Sequence, residues 1–594
     1  MKRRLLAAGL ACALLAGCGP VSTEPVDQES APVDEPVIAY VPLDDRPDNE
    51  ERVVYLADSL GYELRLPERD DYQTRLDGQP LNENGTQYGD RADLYEWVLE
   101  QEAAGCDRYI LSVDQLLSGG LVSSRAMTGE NPVTLPNGRT LAEAELLTEL
   151  IELLAADENN QVWLLDTVMR LAATTGYGGF GLNEYNALRT YGMAARPHLA
   201  GEALTLENIV ADYPLGTDGQ PIQVEAEEPL PEGAVENYLS SRERKLRLSE
   251  TLFDALAGTE GRFHVLIGID DSSEEDSIQK NEIAYLRSLL REGDALLSGV
   301  DDLAFKAVAR LYLDECGWEG ASVSVQYFGG TEDQPACAYD YQPLTTIMEE
   351  HFAFFDLTMA EPGQEELRVL VLTQPADETQ KDAYIQALVE ELEGDQALKP
   401  TVLIDAGNGT YGTAFHEALT EEVQLGRLLS YAGFLDMAIV TGTALSHGVA
   451  RYAFLHHGEQ TDATERAFLR TVADSILKDF CYKNVVRNDI LTYVREDLGG
   501  NADNFWTPDI DRQAILERLE SSMAEATADV IKNLERSNFI SALPSTREYA
   551  ERGWGGVELT NYRFPWDRAF EIGMDILLGD FTEPHKQVLG IYYQ

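Results

Sequence analysis

Five apolar runs in this 594-residue chain end in carboxylates. VIAYVPL leads into Asp44, Asp45 and Arg46, RYILSV into Asp114, VWLL into Asp166, HVLIGI into Asp270 and Asp271, and TVLI into Asp405. Two kinds of chemistry need such a set. A pair of carboxyl groups in unlike environments works as acid and base, or acid and nucleophile, across a glycosidic bond. Several together hold Mg²⁺ or Ca²⁺ through hard oxygen ligands. Arg46, Arg125 and Arg170 follow the same runs and offer forked donors to carboxylate or hydroxyl groups. A single aspartate after a strand is as readily a turn or cap residue. Five such endings, two of them doubled, favour a site.

Asp270 and Asp271 are therefore the expected catalytic pair, with Asp302 as the alternative acid. Asp44, Asp45, Arg46, Asp114, Arg125, Asp166, Arg170, Asp405 and Asn408 are the expected substrate-binding residues. A carboxyl separation of about 5 Å would give retention of configuration, and one above about 6.5 Å inversion. Asn183, Glu184 and Tyr185 stand in a Gly- and Tyr-rich loop suited to a sugar platform or to plain surface. Tyr562, Phe564 and Trp566 would stack on a ligand or seal a core. No GxSxG elbow, P-loop or GxGxxG turn follows a strand, which argues against serine hydrolase, NTPase and dinucleotide chemistry. The eight histidines form no HExxH or HxH pattern.

The elements that must position these residues alternate. Strands are expected at Val37–Pro42, Tyr62–Leu66, Arg108–Val113, Gln161–Leu165, Phe263–Ile269, Ser322–Tyr327, Leu367–Leu372 and Thr401–Ile404, with amphipathic stretches such as Arg91–Gln101, Leu141–Leu154, Val235–Leu256, Ile278–Leu290 and Ala383–Leu392 between them. That order predicts an α/β fold of parallel strands alternating with helices, whose strand ends open onto one face. The spacing leaves open a TIM-like (β/α)8 barrel or a split into a barrel-like and a doubly wound half. The acidic, Pro- and Gly-rich stretch Arg196–Pro231 reads as a surface excursion. From about residue 460 the pattern is mainly helical and ends in an aromatic segment from Trp554 to Trp566.

At the start, Lys2, Arg3 and Arg4 precede a short apolar run that closes in Leu15-Ala16-Gly17-Cys18, similar to a bacterial lipobox. The expectation is a signal peptide over 1–17, lipidation of Cys18, an acidic Pro- and Ser-rich tether over 18–36, and export to a membrane face. A catalytic α/β part over 37–330, a second over 331–459 and the helical part over 460–594 would follow. With 104 acidic against 45 basic residues and a net charge of −59, nucleic acid is excluded as a partner, and a neutral saccharide or glycan is the expected substrate. The membrane is met only through the anchor. No cofactor is expected, a divalent cation in the carboxylate cluster apart. Cys106, Cys316, Cys337 and Cys481 lack zinc-ribbon spacing; Cys316 and Cys337 are a candidate disulfide, and free thiols are the other reading.

Several blocks resemble a bacterial family known as domain of unknown function 4127: Val41-Pro42-Leu43-Asp44-Asp45-Arg46-Pro47, Gly119-Gly120-Leu121-Val122-Ser123-Ser124-Arg125, Asp270-Asp271 with Glu282 downstream, Gly299-Val300-Asp301-Asp302 where the family tends to read GADE, and Phe564-Pro565-Trp566-Asp567-Arg568-Ala569-Phe570-Glu571. The resemblance implies one family unit over most of the chain and adds Arg568 to the binding set. Where the family continues from Tyr431-Ala432-Gly433 with Trp-Asn-Thr-Ala-Gly-Asn, this chain has Phe434-Leu435-Asp436-Met437-Ala438-Ile439, a mostly apolar replacement that implies changed specificity or lost activity. The function these readings favour is a surface-anchored glycoside hydrolase. A carboxylate-metal hydrolase and a non-catalytic saccharide- or peptide-binding lipoprotein are the alternatives.

Overall fold

Apolar residues on successive positions of the same strand drain into different cores, which places each sheet between two helical layers. The structure, a computed structural model, describes residues 36–506, 509–536, 549–551, 556–579 and 585–587. The signal segment, Cys18 and nearly all of the tether lie outside the described residues, as does Trp554.

Six parallel strands form the first sheet: β1 (Val37–Val41), β2 (Glu63–Arg65), β3 (Arg108–Ser112), β4 (Gln161–Val168), β5 (Phe263–Ile269) and β6 (Ala295–Ser298), in the order β2-β1-β3-β4-β5-β6. Five more form the second: β7 (Ala321–Phe328), β8 (Leu357–Met359), β9 (Leu367–Leu372), β10 (Thr401–Asp405) and β11 (Ser430–Gly433), in the order β8-β7-β9-β10-β11. Both sheets thus place their second strand outside the first and run on from the third in sequence order. This doubly wound pattern leaves a crevice at the carboxyl ends where the strand order reverses. All eight expected strands form. The three unforeseen ones, β6, β8 and β11, are four, three and four residues long, too short for a periodic signal. The second sheet begins at Ala321, so β7 belongs with the later strands.

Five layers result. Ile38, Tyr40 and Ile110 of the first sheet share one core with Val369, Val371, Val402 and Ile404 of the second, and helices α1 (Glu51–Ser59), α2 (Leu303–Cys316) and α3 (Met437–His457) fill the space between. Ala39, Val41, Tyr109 and Leu111 face the opposite way, onto the outer helices of the first sheet. Leu370, Leu372 and Leu403 face the outer helices of the second, among them Arg512–Arg536, and an antiparallel hairpin of Val557–Arg563 and Gly573–Leu578. That hairpin, within a part expected to be mainly helical, was not foreseen. Cys106, Cys316, Cys337 and Cys481 are free. Among the described residues no helix is long and apolar enough to cross a membrane.

Charge is buried in the middle layer. Arg52 on α1 meets Asp48 at 3.0 Å, Asp474 at 3.2 Å and Asp479 at 3.5 Å, while Lys478 and Lys483 neutralise the same acids from a π-helical segment, Ile476–Val486. On α2, Asp302 and Lys306 pair at 2.7 Å with no exposure. Gly442 of α3 makes room for that pair, since a Cβ there would overlap the Asp302 carboxylate and press on the Lys306 stem. Gly442→Ala is expected to displace a buried ion pair and lower stability by about 3–5 kcal/mol, read as a shift in urea midpoint; an unchanged midpoint would disprove this packing.

Candidate active site

The crevice between the two sets of strand ends holds a cleft of about 560 Å³. Its walls come from the segments after β1, β3, β4, β5 and β6 of the first sheet, from those after β7, β10 and β11 of the second, and from the segment that links the hairpin strands.

Arg46 is the centre of one wall. Asp44, fully buried, accepts from its Nη2 at 2.8 Å, its Nε at 3.0 Å and its backbone N–H at 3.0 Å, which fixes the guanidinium's direction. The fork then reaches Asp301 at 2.5 and 3.2 Å. Glu571 lies 4.0 Å from Nε, and Arg46 stands over the Trp566 ring at 4.9 Å. Trp566 is held by its indole N–H, which donates to Asp45 at 2.8 Å. Trp566 and Asp567 both have left-handed backbone angles, φ 54° and 51°, unusual for side-chain-bearing residues. Bonds from Gln79 to the Asp567 carboxylate (2.9 Å) and from the Phe505 N–H to the Asp567 carbonyl (2.8 Å) hold this turn in place.

Asp270 and Asp271 occupy the floor. Arg125 donates to Asp270, Arg170 forms an ion pair with Asp271, and the Asp271 N–H donates to the Asp270 carboxylate at 2.9 Å. Burial pushes Asp270 upward, but Arg125 and Arg170 outweigh it and hold the carboxyl below its ordinary range. Arg170 lies over Tyr185 at 5.6 Å, and Tyr339 and Phe570 stand partly exposed on the rim.

Two acids in the cleft behave in the opposite way. Burial, with Asp48 adding to it and Arg46 and Lys483 opposing, raises Glu571 to about 8. Burial, then the fields of Asp271, Asp340 and Asp301, raises Asp436 well above the carboxylate range. Asp436 precedes α3 but does not cap it. Asp340, from a distant loop, accepts from the Met437 and Ala438 N–H groups at 3.3 and 3.2 Å instead. Asp436 is thereby left lining the cleft.

Of the residues expected from sequence, Arg46, Arg125, Arg170, Asp270, Asp271, Asn408 and Arg568 line this cleft. Asp44 and Asp45 stand behind it as supports. Asp114 and Asp166 do not line it: both bind the buried Lys245 Nζ, at 2.5 and 3.1 Å, and tie the helix Ala234–Ala255 to the first sheet. Asp302 is turned into the middle layer beside Lys306, and its neighbour Asp301 lines the cleft. Asp405 is buried, accepting from the Gly407 N–H at 3.0 Å. Asp301, Asp436, Glu571 and Arg487 line the cleft without having been singled out. Asp301 and Glu571 stand inside the recurring family blocks and Asp436 inside the 434–439 run that departs from the family, signals available in the sequence; Arg487 carried none. Among the described residues no group of three or more His, Cys, Asp or Glu side chains is arranged around a common point for a metal ion.

Burial raises Asp405 to about 7, against the Gly407 N–H and Tyr431 hydroxyl, which lower it. A carboxyl raised on folding contributes stability that is present at low pH and lost as pH rises through its folded value. Wild-type stability should therefore decline between pH 3.8 and about 7 through this group, and Asp405→Asn should remove that part of the decline. Parallel urea curves for the two proteins across this range would refute the assignment.

A family model described as protein of unknown function (DUF4127) matches residues 38–575. Among the curated proteins and the solved structures, nothing matches.

Proposed function

The chain belongs to the DUF4127 family of proteins of unknown function, and since that membership carries no reaction, we propose from the cleft itself that it is a glycoside hydrolase, anchored outside the cytoplasm through Cys18. The observation that carries this reading is the opposed protonation of carboxyl groups lining one cleft. Arg125 and Arg170 hold Asp270 below the ordinary carboxyl range, while burial raises Glu571 to about 8 and Asp436 well above that range. Carboxyl groups pushed apart in this way divide into base or nucleophile and acid. In the assignment, Glu571 protonates the leaving oxygen, with Asp436 as the alternative donor. Asp271 or Asp270 attacks the anomeric carbon or activates water. Tyr185, Tyr339 and Trp566 offer ring faces to a pyranose. Asp301 keeps Arg46 in place, and Asn408 is available for a hydroxyl.

A second reading is favoured by one observation: both floor carboxylates are already engaged by arginines. A protein that captures a saccharide without cleaving it would have the same floor. A metal-assisted hydrolase remains the third proposal, and chelation tests it.

Product release from a panel of saccharides and chromogenic glycosides, with and without chelator, separates the three. Turnover that survives chelation supports the glycosidase, turnover lost with chelator supports the metal enzyme, and binding without turnover supports capture. For a glycosidase, kcat/KM should fall as pH rises through about 8. Glu571→Gln should abolish that limb and cost about 10²–10⁴-fold in rate. Asp270→Asn and Asp271→Asn should each lower kcat by a comparable factor; a confirmed activity untouched by both would end the assignment.

A further inference from the structure

Five arginines line the cleft of a chain in which acids outnumber bases more than twofold. Three are committed: Arg46 to Asp44 and Asp301, Arg125 to Asp270, and Arg170 to Asp271. Arg568 and Arg487 are not. Arg568 donates to the Thr175 carbonyl and lies over Trp566 at 5.6 Å. Arg487 lies over Phe570 at 5.6 Å. Neither has an ion-pair partner among the described residues, which sets them apart; the Nε of each is buried without a hydrogen-bond acceptor, as it is in Arg125 and Arg170. Such donors are costly to leave unmatched. The surrounding charge points the same way: burial, partly offset by Asp503, and the fields of Arg46, Arg170 and Arg125 push Arg568 down to about 10. An anion beside it would relieve all of these.

We infer that Arg568 and Arg487 form an oxyanion subsite, and that the saccharide bound in this cleft carries a carboxylate, as a uronic acid does. Planar guanidinium forks match carboxylate geometry, and the ring faces of Trp566 and Phe570 beside them suit the apolar face of the same sugar. The inference rests on the saccharide reading proposed above and deepens it. A net charge of −59 slows the approach of polyanions, so the ligand is a single acidic residue or a short oligomer and not a densely charged polymer. The total charge speaks for neutral substrates; the cleft reverses that locally.

Calorimetric titration of the full-length protein with glucuronate, glucose and inorganic phosphate at fixed ionic strength tests this. Glucuronate should bind more tightly than glucose. Arg568→Gln and Arg487→Gln should each weaken glucuronate about ten- to hundredfold and glucose by clearly less. Arg568→Lys should recover only part of the loss, and the surface control Arg247→Gln should change nothing. Melting curves show which variants fold, and either arginine suffices for the test. Equal binding of glucose and glucuronate, no glucuronate binding at all, or phosphate bound more tightly with the same dependence on Arg568 would each overturn the carboxylate subsite. Acid-selective binding without cleavage of acidic glycosides would sink the hydrolase reading and leave the subsite standing. Cleavage of neutral glycosides by a protein that binds no glucuronate would do the reverse.

Discussion

A guanidinium removed from water must be surrounded by acceptors, and Arg46 meets that demand with one residue of its own loop and one from a remote part of the chain. Asp44 comes from that same loop after the first strand and Asp301 from the loop after β6, while Glu571, from the segment between the hairpin strands, comes within 4.0 Å without a hydrogen bond. Removing Asp44 or Asp301 leaves a buried charge partly unmatched, which costs far more than the net worth of an ion pair in solution. The loop segments therefore have to arrive together. Their meeting point is where the carboxyl ends of both sheets converge, so the electrostatic requirement and the topology of parallel strands select the same place.

The field at that point explains why similar residues differ in chemistry. Asp270 and Glu571 are both buried acids lining one cleft. The first has Arg125 and Arg170 beside it; the second has Asp48 among its neighbours, and burial prevails over Arg46 and Lys483. The outcome is set by which charges are close, not by burial alone. Behind Glu571, the interlocked pairs of Arg52, Lys478 and Lys483 with three aspartates keep that balance fixed.

Much of the fold was legible because buried parallel strands are long apolar runs, and β1, β5 and β9 read almost to the residue. The site was legible in part. In the sequence Asp114, Asp166 and Asp270 follow apolar runs in the same way and no local feature separates them, though β4 runs on through Asp166 to Val168. What separates them is Lys245, far along the chain, which claims the first two. Asp301 and Asp302 are adjacent, and the start of α2 decides which one enters the middle layer. Asp436 lines the cleft only because Asp340 takes over the capping of α3, a tertiary substitution that no spacing rule encodes.

The helical layer shared by the two sheets has a mechanical consequence. Hinged binding proteins carry their ligand between bodies joined by thin connections, and closure supplies part of their selectivity. Here Ile38 and Val369 belong to one continuous core, so separating the sheets would tear open the centre of the molecule. The cleft does not open by parting the sheets. Its occupant is chosen by fit on arrival, with little ordering entropy lost by the protein, and the route of escape is the route of entry.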